Sequence, residues 1–307
     1  MTSPVQPILV VLVYRGGDRF QRALDSIIAA ERFFSRIILS VTASIDSPDM
    51  RLADNFRDRL LPRTEIICTG TELPTMSHQA FWIDYLARTG VKSTDWIYWL
   101  AYDDQVKESG LRQIVDEDGN WPIEKGTAYF GPWAMRHESP NELFSGPLDA
   151  ELESWTSFPL EGPTCLPLAK WVAGQLLQPT YMQMSGSVVS FESHRRLISG
   201  FPRKKGPMRI EMATASAPNN VRVAEFNQPV SIIYGRSNSD RSNYSTTARK
   251  EDLHLVIWLT KYELRHPNAI PVLVKAAAAV TALWTRVLIG KAQLPDERWV
   301  VRGVVSP

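Results

Sequence analysis

The stretch Trp96-Ile97-Tyr98-Trp99-Leu100-Ala101-Tyr102-Asp103-Asp104-Gln105-Val106 decides the fold. Its aromatic and aliphatic first half suits a buried strand, and it breaks off at two adjacent carboxylates. Carboxylates at the mouth of a buried strand cost desolvation unless a cation or hydrogen-bond donors meet them. Hard oxygen ligands at the carboxyl end of a central strand suit a divalent metal, Mg2+ or Mn2+, holding a phosphorylated ligand. A plain polar turn after a strand reads the same way, and this stretch alone leaves both open.

Upstream, residues 8–14 (Ile-Leu-Val-Val-Leu-Val-Tyr) form a continuous apolar run, the pattern of a strand covered on both faces. The run stops at Gly16-Gly17, and Asp18 is placed to cap a following helix. In that helix Phe20, Ala23, Leu24, Ile27 and Ile28 share one face, while Arg19, Gln21, Arg22 and Asp25 take the other. A second strand over 36–42 leads to the turn Asp46-Ser47-Pro48-Asp49, and a charged helix covers 50–61. A third strand covers 65–68, and a helix over 78–89 returns the chain to the opening stretch. Four strands alternate with three helices, which is the order of a parallel sheet with helical crossovers.

Downstream, a helical turn is expected at 111–114 and a strand at 127–133. Residues 138–168, rich in Pro, Ser and Glu, take no regular assignment, and a long loop of this kind in a compact domain is often a lid or substrate-binding segment. A small-residue segment over 182–191 becomes strand-like, a helix over 192–199 ends at Gly200, and a short strand covers 230–234. Helices over 250–265 and 269–290 close the chain. The last is largely apolar but carries Lys275 and Arg286 and an Ala-rich centre, which argues against a membrane span. Packing on the domain, lying on a membrane surface and forming a dimer contact all remain open for it.

The 34 basic and 33 acidic residues nearly cancel, so charge offers no reason for a nucleic-acid partner. Cys68 and Cys165, the only cysteines, have neither zinc-site nor disulfide-framework spacing and fit a reducing compartment. The amino terminus runs into the first strand without a signal-peptide pattern, so the expected location is the cytoplasm, with the inner face of the membrane as a variant.

Three motifs carry a resemblance. Residues 10–27, Val-Val-Leu-Val-Tyr-Arg-Gly-Gly-Asp-Arg-Phe-Gln-Arg-Ala-Leu-Asp-Ser-Ile, resemble the opening strand, Tyr-containing turn and Ala-Leu-x-Ser-Ile helix of GT-A glycosyltransferases, most like the family-2 group. Residues 97–104 resemble that family's fourth strand, ending in an Asp-x-Asp or Asp-Asp metal motif. Ser185-Gly186-Ser187-Val188-Val189, followed by Leu197-Ile198-Ser199-Gly200-Phe201, resembles its acceptor-side strand and Gly-Phe turn. The likeness covers about two-thirds of the chain.

The resemblance implies an α/β GT-A domain with a Rossmann-like, mostly parallel sheet over residues 1–245, its nucleotide-binding part at 1–110 and acceptor-side part at 111–245. A helical extension over 246–307 follows. It implies an inverting, metal-dependent hexosyl or deoxyhexosyl transfer from a UDP-, dTDP- or GDP-linked donor to a glycan or lipid-linked acceptor, of the type that builds surface polysaccharide or glycoconjugates. Asp104, with Asp103, would hold Mg2+ or Mn2+; Asp103 could instead reach the ribose or a coordinated water. Tyr14 matches the ring that packs on the base, and Asp46 is the acid nearest the end of the second strand, although a capping Asp would look the same. His78 falls where relatives carry donor-contacting residues, or is a solvated helix-terminal His. Glu211 matches one of an acidic pair that supplies the catalytic base, or is an exposed partner of Arg209 or Lys205. Arg236 and Arg241 could meet the diphosphate or be solvated.

The chain departs from the family in four places. Ala101 stands where an acid is common, Met212 replaces the second acid of the pair, Thr42-Ala43-Ser44 replaces Asp-Asp-x-Ser, and Tyr234-Gly235-Arg236-Ser237 lacks the His of Tyr-Arg-x-His. These departures make a catalytically weak sugar-nucleotide-binding or assembly protein one alternative. A sugar nucleotidyltransferase is another, although the Gly-rich loop with Arg and Lys that it needs is missing. Among the tryptophans, Trp96 and Trp99 read as core, and Trp133 and Trp155 as candidates for sugar contact.

Overall fold

The computed structural model describes residues 5–130, 133–138, 154–156, 166–167, 184–200, 222–224, 226, 228–236 and the single positions 274, 278, 281 and 285. Four strands lie in parallel: β1 (Ile8–Val13), β2 (Arg36–Val41), β3 (Thr64–Cys68) and β4 (Trp96–Ala101). Helices α1 (Gly17–Ala30), α2 (Pro48–Phe56) and α3 (Thr75–Arg88) connect them. The spatial order β3-β2-β1-β4 means that the chain steps outward twice, then crosses back over β1 to lay down β4. A crevice therefore opens between the carboxyl ends of β1 and β4, the position at which open α/β sheets bind ligands.

Alternation along the strands explains why the run from Ile8 is apolar throughout. Leu9, Val11 and Val13 pack with Phe20, Leu24 and Ile27 of α1 and with Met50, Ala53 and Phe56 of α2. Ile8, Val10 and Leu12 face the other way, onto Trp82, Ile83 and Leu86 of α3. Each side chain taken fully out of water contributes about 1.5–3 kcal/mol, so β1 anchors both layers. β4 divides in the same manner, with Trp96, Tyr98 and Leu100 on the α1 side and Ile97 and Trp99 on the α3 side. Trp96 is core as expected, and Trp99 is only partly covered.

After β4 the chain turns at residues 102–104 and enters β5 (Gln105–Val106), so the apolar run is a strand, a turn and the start of a second sheet. Helix α4 (Glu108–Ile114) follows. The segment expected as one strand over 127–133 is two: β6 (Thr127–Tyr129) in the large sheet and β7 (Trp133–Glu138) in the second. Within the segment left unassigned lie β8 (Ser154–Thr156) and β9 (Leu166–Pro167). Next come β10 (Ser187–Ser190), α5 (Phe191–Gly200), β11 (Arg222–Ala224) and β12 (Ser231–Arg236). The large sheet runs β3-β2-β1-β4-β10-β6-β11-β9, and β10 pairs antiparallel with both β4 and β6. The smaller sheet runs β5-β12-β7-β8, with β12 antiparallel to β5. The result is the expected α/β sheet, parallel in its β1–β4 half and flanked by helices.

Two local expectations change. Asp18 does not cap α1: Gly16 occupies the cap position without a side-chain bond, and the carboxylate of Asp49 accepts the Gly16 and Gly17 N–H groups instead, each at 2.9 Å. Pro48 and Asp49 belong to α2 and not to a preceding turn; Ser47 caps that helix, accepting from the Met50 N–H. Of the closing helices, positions 274, 278, 281 and 285 are described; they are helical and exposed. Among the described residues no helix is long and apolar enough to cross a membrane.

Candidate active site

Two loops and a turn meet at the carboxyl ends of β1 and β4. β1 delivers Tyr14, 41% exposed, and then Arg15 in the left-handed backbone region at φ 49°. A residue with a Cβ is costly there, and the two bonds from Asp49 to the next two N–H groups hold the conformation. Gly16 comes close to the β4 turn: a Cβ on it would stand 3.2 Å from the Tyr102 ring and 2.6 Å from Phe20 Cβ. Arg15 reaches sideways to Glu72 in the loop after β3, donating from Nε at 3.0 Å and Nη2 at 2.9 Å. The Arg15 hydrogen bonds, with its charge, keep the Glu72 carboxyl below the usual range.

The β4 turn is closed by the Asp104 N–H donating to Ala101 O at 3.2 Å, and joined to β1 by the Tyr102 N–H donating to Leu12 O at 3.1 Å. Asp104 is 6% exposed. Its Oδ2 accepts the Ser185 hydroxyl, and its Oδ1 accepts the Tyr234 N–H at 3.3 Å. Ser185 Oγ in turn accepts the Ala101 N–H at 3.0 Å. These donors offset the cost of burying the carboxylate. The chain delivers Ser185 through Gly186 at φ 84°, where a Cβ would stand 2.6 Å from Ser231 Oγ. Asp103, half-buried, presents its carbonyl to Arg22 Nη2 at 3.1 Å. The Arg22 guanidinium carbon lies 3.4 Å from the centre of the Tyr234 ring. Tyr98 crosses beneath, donating to Val230 O at 2.8 Å; burial, with the nearby Asp104 charge, pushes its phenol well above the ordinary range.

The structure thus brings Asp103 and Asp104 together with Arg22, Ser185 and Tyr234, and places Tyr14 on the neighbouring strand end. Asp46 is exposed in the loop before α2, its carbonyl accepting Arg51 Nη1 at 2.8 Å. His78 is not a solvated helix-end residue. It is 4% exposed in α3 beneath β2, two strands from β4, and its Nε2 lies 2.9 Å from Ser40 Oγ. Burial lowers its pKa to about 4. Arg236 is a strand residue of β12 paired with Glu138, and Trp133 and Trp155 pair within the second sheet as neighbours of each other's partners; their side chains lie outside the described residues. Glu211 and Arg241 also lie outside them. At the end of β2, where the family pattern has acids, Thr42 Oγ1 accepts the Leu73 N–H at 2.7 Å, tying that end to the loop before α3.

Among the described residues no cluster of three His, Cys, Asp or Glu side chains forms. The oxygen donors that do gather at the turn suit a hard ion such as Mg2+ or Mn2+, which keeps waters and takes ligands from a bound diphosphate.

Sequence reasoning missed Arg22 and Asp49. Arg22 sat on the polar face of an amphipathic helix, and Asp49 resembled a turn residue, while their partners stand 81 and 33 positions away. Ser185 belonged to a recognised motif, but nothing in that motif tied it to Asp104.

This architecture, a crossed-back parallel half-sheet joined to an antiparallel β10 with paired carboxylates after β4, is the GT-A fold. Its likeness to solved structures agrees. The chain superposes on the crystal structure of S. aureus TarS 1-349 in complex with UDP-GlcNAc with a TM-score of 0.60 at 11% identity, covering 94% of this chain and 77% of that one. The crystal structure of S. aureus TarS 1-349 gives a TM-score of 0.53 at 11% identity, with 96% and 77% covered. No family model and no curated protein sequence matches the chain.

Proposed function

We propose that the chain is a family-2-like glycosyltransferase that moves a sugar from a nucleotide-diphosphate donor to a hydroxyl of a glycan or lipid-linked acceptor, with inversion. The observation that carries this reading is the meeting of Tyr14 and the Asp103–Asp104 turn at the β1/β4 crevice of a GT-A fold. Tyr14 offers an exposed ring for the base. Asp104, with Asp103, is assigned to the metal, and the Ser185 hydroxyl and Tyr234 N–H, which donate to Asp104, orient its carboxylate. A bound Mg2+ or Mn2+ would neutralise charge on the departing diphosphate. Glu211 takes the acceptor proton as the acceptor oxygen bonds to the anomeric carbon, and the electron pair of the breaking bond leaves with the diphosphate. Asp46 and Arg236 are assigned to the ribose side and the diphosphate, while the burial of His78 argues for an indirect part in holding the donor pocket. The cytoplasmic face of a membrane is the proposed place of action.

One observation weighs against the nucleotidyltransferase alternative. The Gly16 and Gly17 N–H groups, which a triphosphate-cradling loop would need, are taken up by Asp49.

The test is a screen of UDP-, dTDP- and GDP-sugars for Mn2+- or Mg2+-dependent donor hydrolysis, with Asp103→Ala, Asp104→Ala and Glu211→Ala alongside. Turnover lost in the Asp103 and Glu211 variants supports the reading. Binding without turnover for every donor favours the assembly-protein alternative, and turnover unaffected by the substitutions overturns the residue assignments.

A further inference from the structure

Three residues from distant parts of the chain form a closed ring of contacts beside the carboxylate turn. Arg22, on α1, lays its guanidinium on the face of the Tyr234 ring, 3.4 Å from centroid to guanidinium carbon. The Tyr234 hydroxyl donates to Gln105 Oε1, and Gln105 Nε2 returns to the Arg22 carbonyl at 3.4 Å. From this ring Arg22 Nη2 donates to the carbonyl of Asp103 at 3.1 Å, and the Tyr234 N–H donates to Asp104. Each of the two carboxylate residues therefore accepts a hydrogen bond from one member of the stacked pair.

We infer that Arg22 is a positioning residue for the reaction: stacked on Tyr234, it fixes the Asp103 peptide and so holds the Asp103–Asp104 turn in place for the metal-bound diphosphate. The inference rests on the glycosyltransferase reading. A planar guanidinium can stack through its face while donating in its plane, and an ammonium cannot do both. The peptide is rigid, so pinning the Asp103 carbonyl fixes the direction from which that residue's Cα approaches the crevice. A mere staple between α1 and the sheet would need no such geometry, since α1 is already packed through Phe20, Leu24 and Ile27. Tyr234 also leads directly into Gly235-Arg236, so the same stack ties the carboxylate turn to the strand that carries the proposed diphosphate-binding Arg236.

The experiment measures Mn2+ binding by electron paramagnetic resonance of the free ion, with UDP, dTDP and GDP each present, on the full chain and on Arg22→Lys. Donor hydrolysis and urea unfolding are followed in parallel. The expected result is at least a tenfold weaker Mn2+-nucleotide affinity and a kcat that falls more than KM rises, with the folded state retained. Tyr234→Leu, which removes the stacking face, is expected to weaken affinity in the same direction, and it decides the matter if Arg22→Lys does not fold. Mn2+-nucleotide affinity unchanged in a folded variant, with only the unfolding midpoint lowered, overturns the positioning role and leaves the glycosyltransferase reading standing. No Mn2+-dependent nucleotide binding by the unchanged chain overturns that reading and the positioning role with it.

Discussion

The Ser185 hydroxyl stands between the Ala101 N–H and the Asp104 carboxylate, accepting from the first and donating to the second. One oxygen thereby joins the end of β4 to the carboxylate three residues on, through a residue 81 positions away from that carboxylate. Replacing it by Ala withdraws a donor from a buried carboxylate and an acceptor from a strand-end N–H. Ser185→Ala is expected to cost about 1–3 kcal/mol in urea unfolding and to lower donor turnover. Wild-type turnover together with wild-type stability would show that the relay is dispensable.

Asp103 and Asp104 are adjacent but differently placed, so the same substitution is expected to act differently on each. Asp104→Asn changes the hydrogen-bonding balance at a buried site where the Ser185 hydroxyl and the Tyr234 N–H both donate, and is expected to destabilise the fold by about 1–3 kcal/mol. Asp103→Asn, at a half-buried site, is expected to weaken Mn2+-dependent nucleotide binding at a smaller cost in the unfolding midpoint. Paired urea titration and Mn2+-binding measurements separate the two, and a larger loss of stability in the Asp103 variant would overturn this ranking.

Acid should destabilise the protein through two buried histidines. His194, on α5, is fully buried edge-on to the Trp82 ring at 5.1 Å, and neither ring nitrogen finds a hydrogen-bond partner among the described residues. Burial lowers its pKa to about 3, and that of His78 to about 4. Below the unfolded value of about 6.5 the unfolded chain takes up protons that the folded chain refuses, so stability rises with pH across this interval. The contribution is complete above about pH 6.5 and is lost as pH falls toward 4 and 3, amounting to a few kcal/mol. Urea midpoints measured from pH 7.5 to 4.5 should fall, and His194→Leu should flatten the slope. An unchanged slope in that variant would remove His194 from the account.

The parallel half of the fold was legible because its signals are local. Continuous apolar runs, helical spacing and glycine stops mark β1 through β4 within short windows, and the register follows from the faces they bury. Residues 96–106 show the limit. Their apolar and aromatic content reads as one strand, yet the Ala101–Asp104 turn breaks it and sends Gln105 and Val106 to another sheet. The carboxylates mark where the strand stops, but the partners that hold the turn, Ser185 and Tyr234, and the strand that receives Gln105 and Val106 lie more than 80 positions away, where no local pattern reaches. The burial of His78 was missed for a related reason. Helix α3 begins at Thr75, one turn before the expected start, which places His78 inside the helix under β2.

The strained turn after β1 gives a test in which opposing effects can be weighed. Arg15 holds φ 49°, and a left-handed conformation costs an L-residue about 1–2 kcal/mol that Gly would not incur. Gly, however, raises the entropy of the unfolded chain by an amount worth about 0.5–1 kcal/mol. The pair with Glu72 is exposed and screened by solvent, and adds little. These terms nearly cancel, so Arg15→Gly is expected to shift stability by less than about 1 kcal/mol. Arg15→Val keeps the strain, adds a β-branch and loses the pair, and is expected to cost about 2 kcal/mol. Asp49→Ala, which removes the acceptor for both Gly16 and Gly17 N–H groups, should cost about 1–3 kcal/mol. Urea unfolding should rank Arg15→Gly above Arg15→Val. Equal destabilisation by the two would mean that the ion pair with Glu72, and not the backbone conformation, governs this turn.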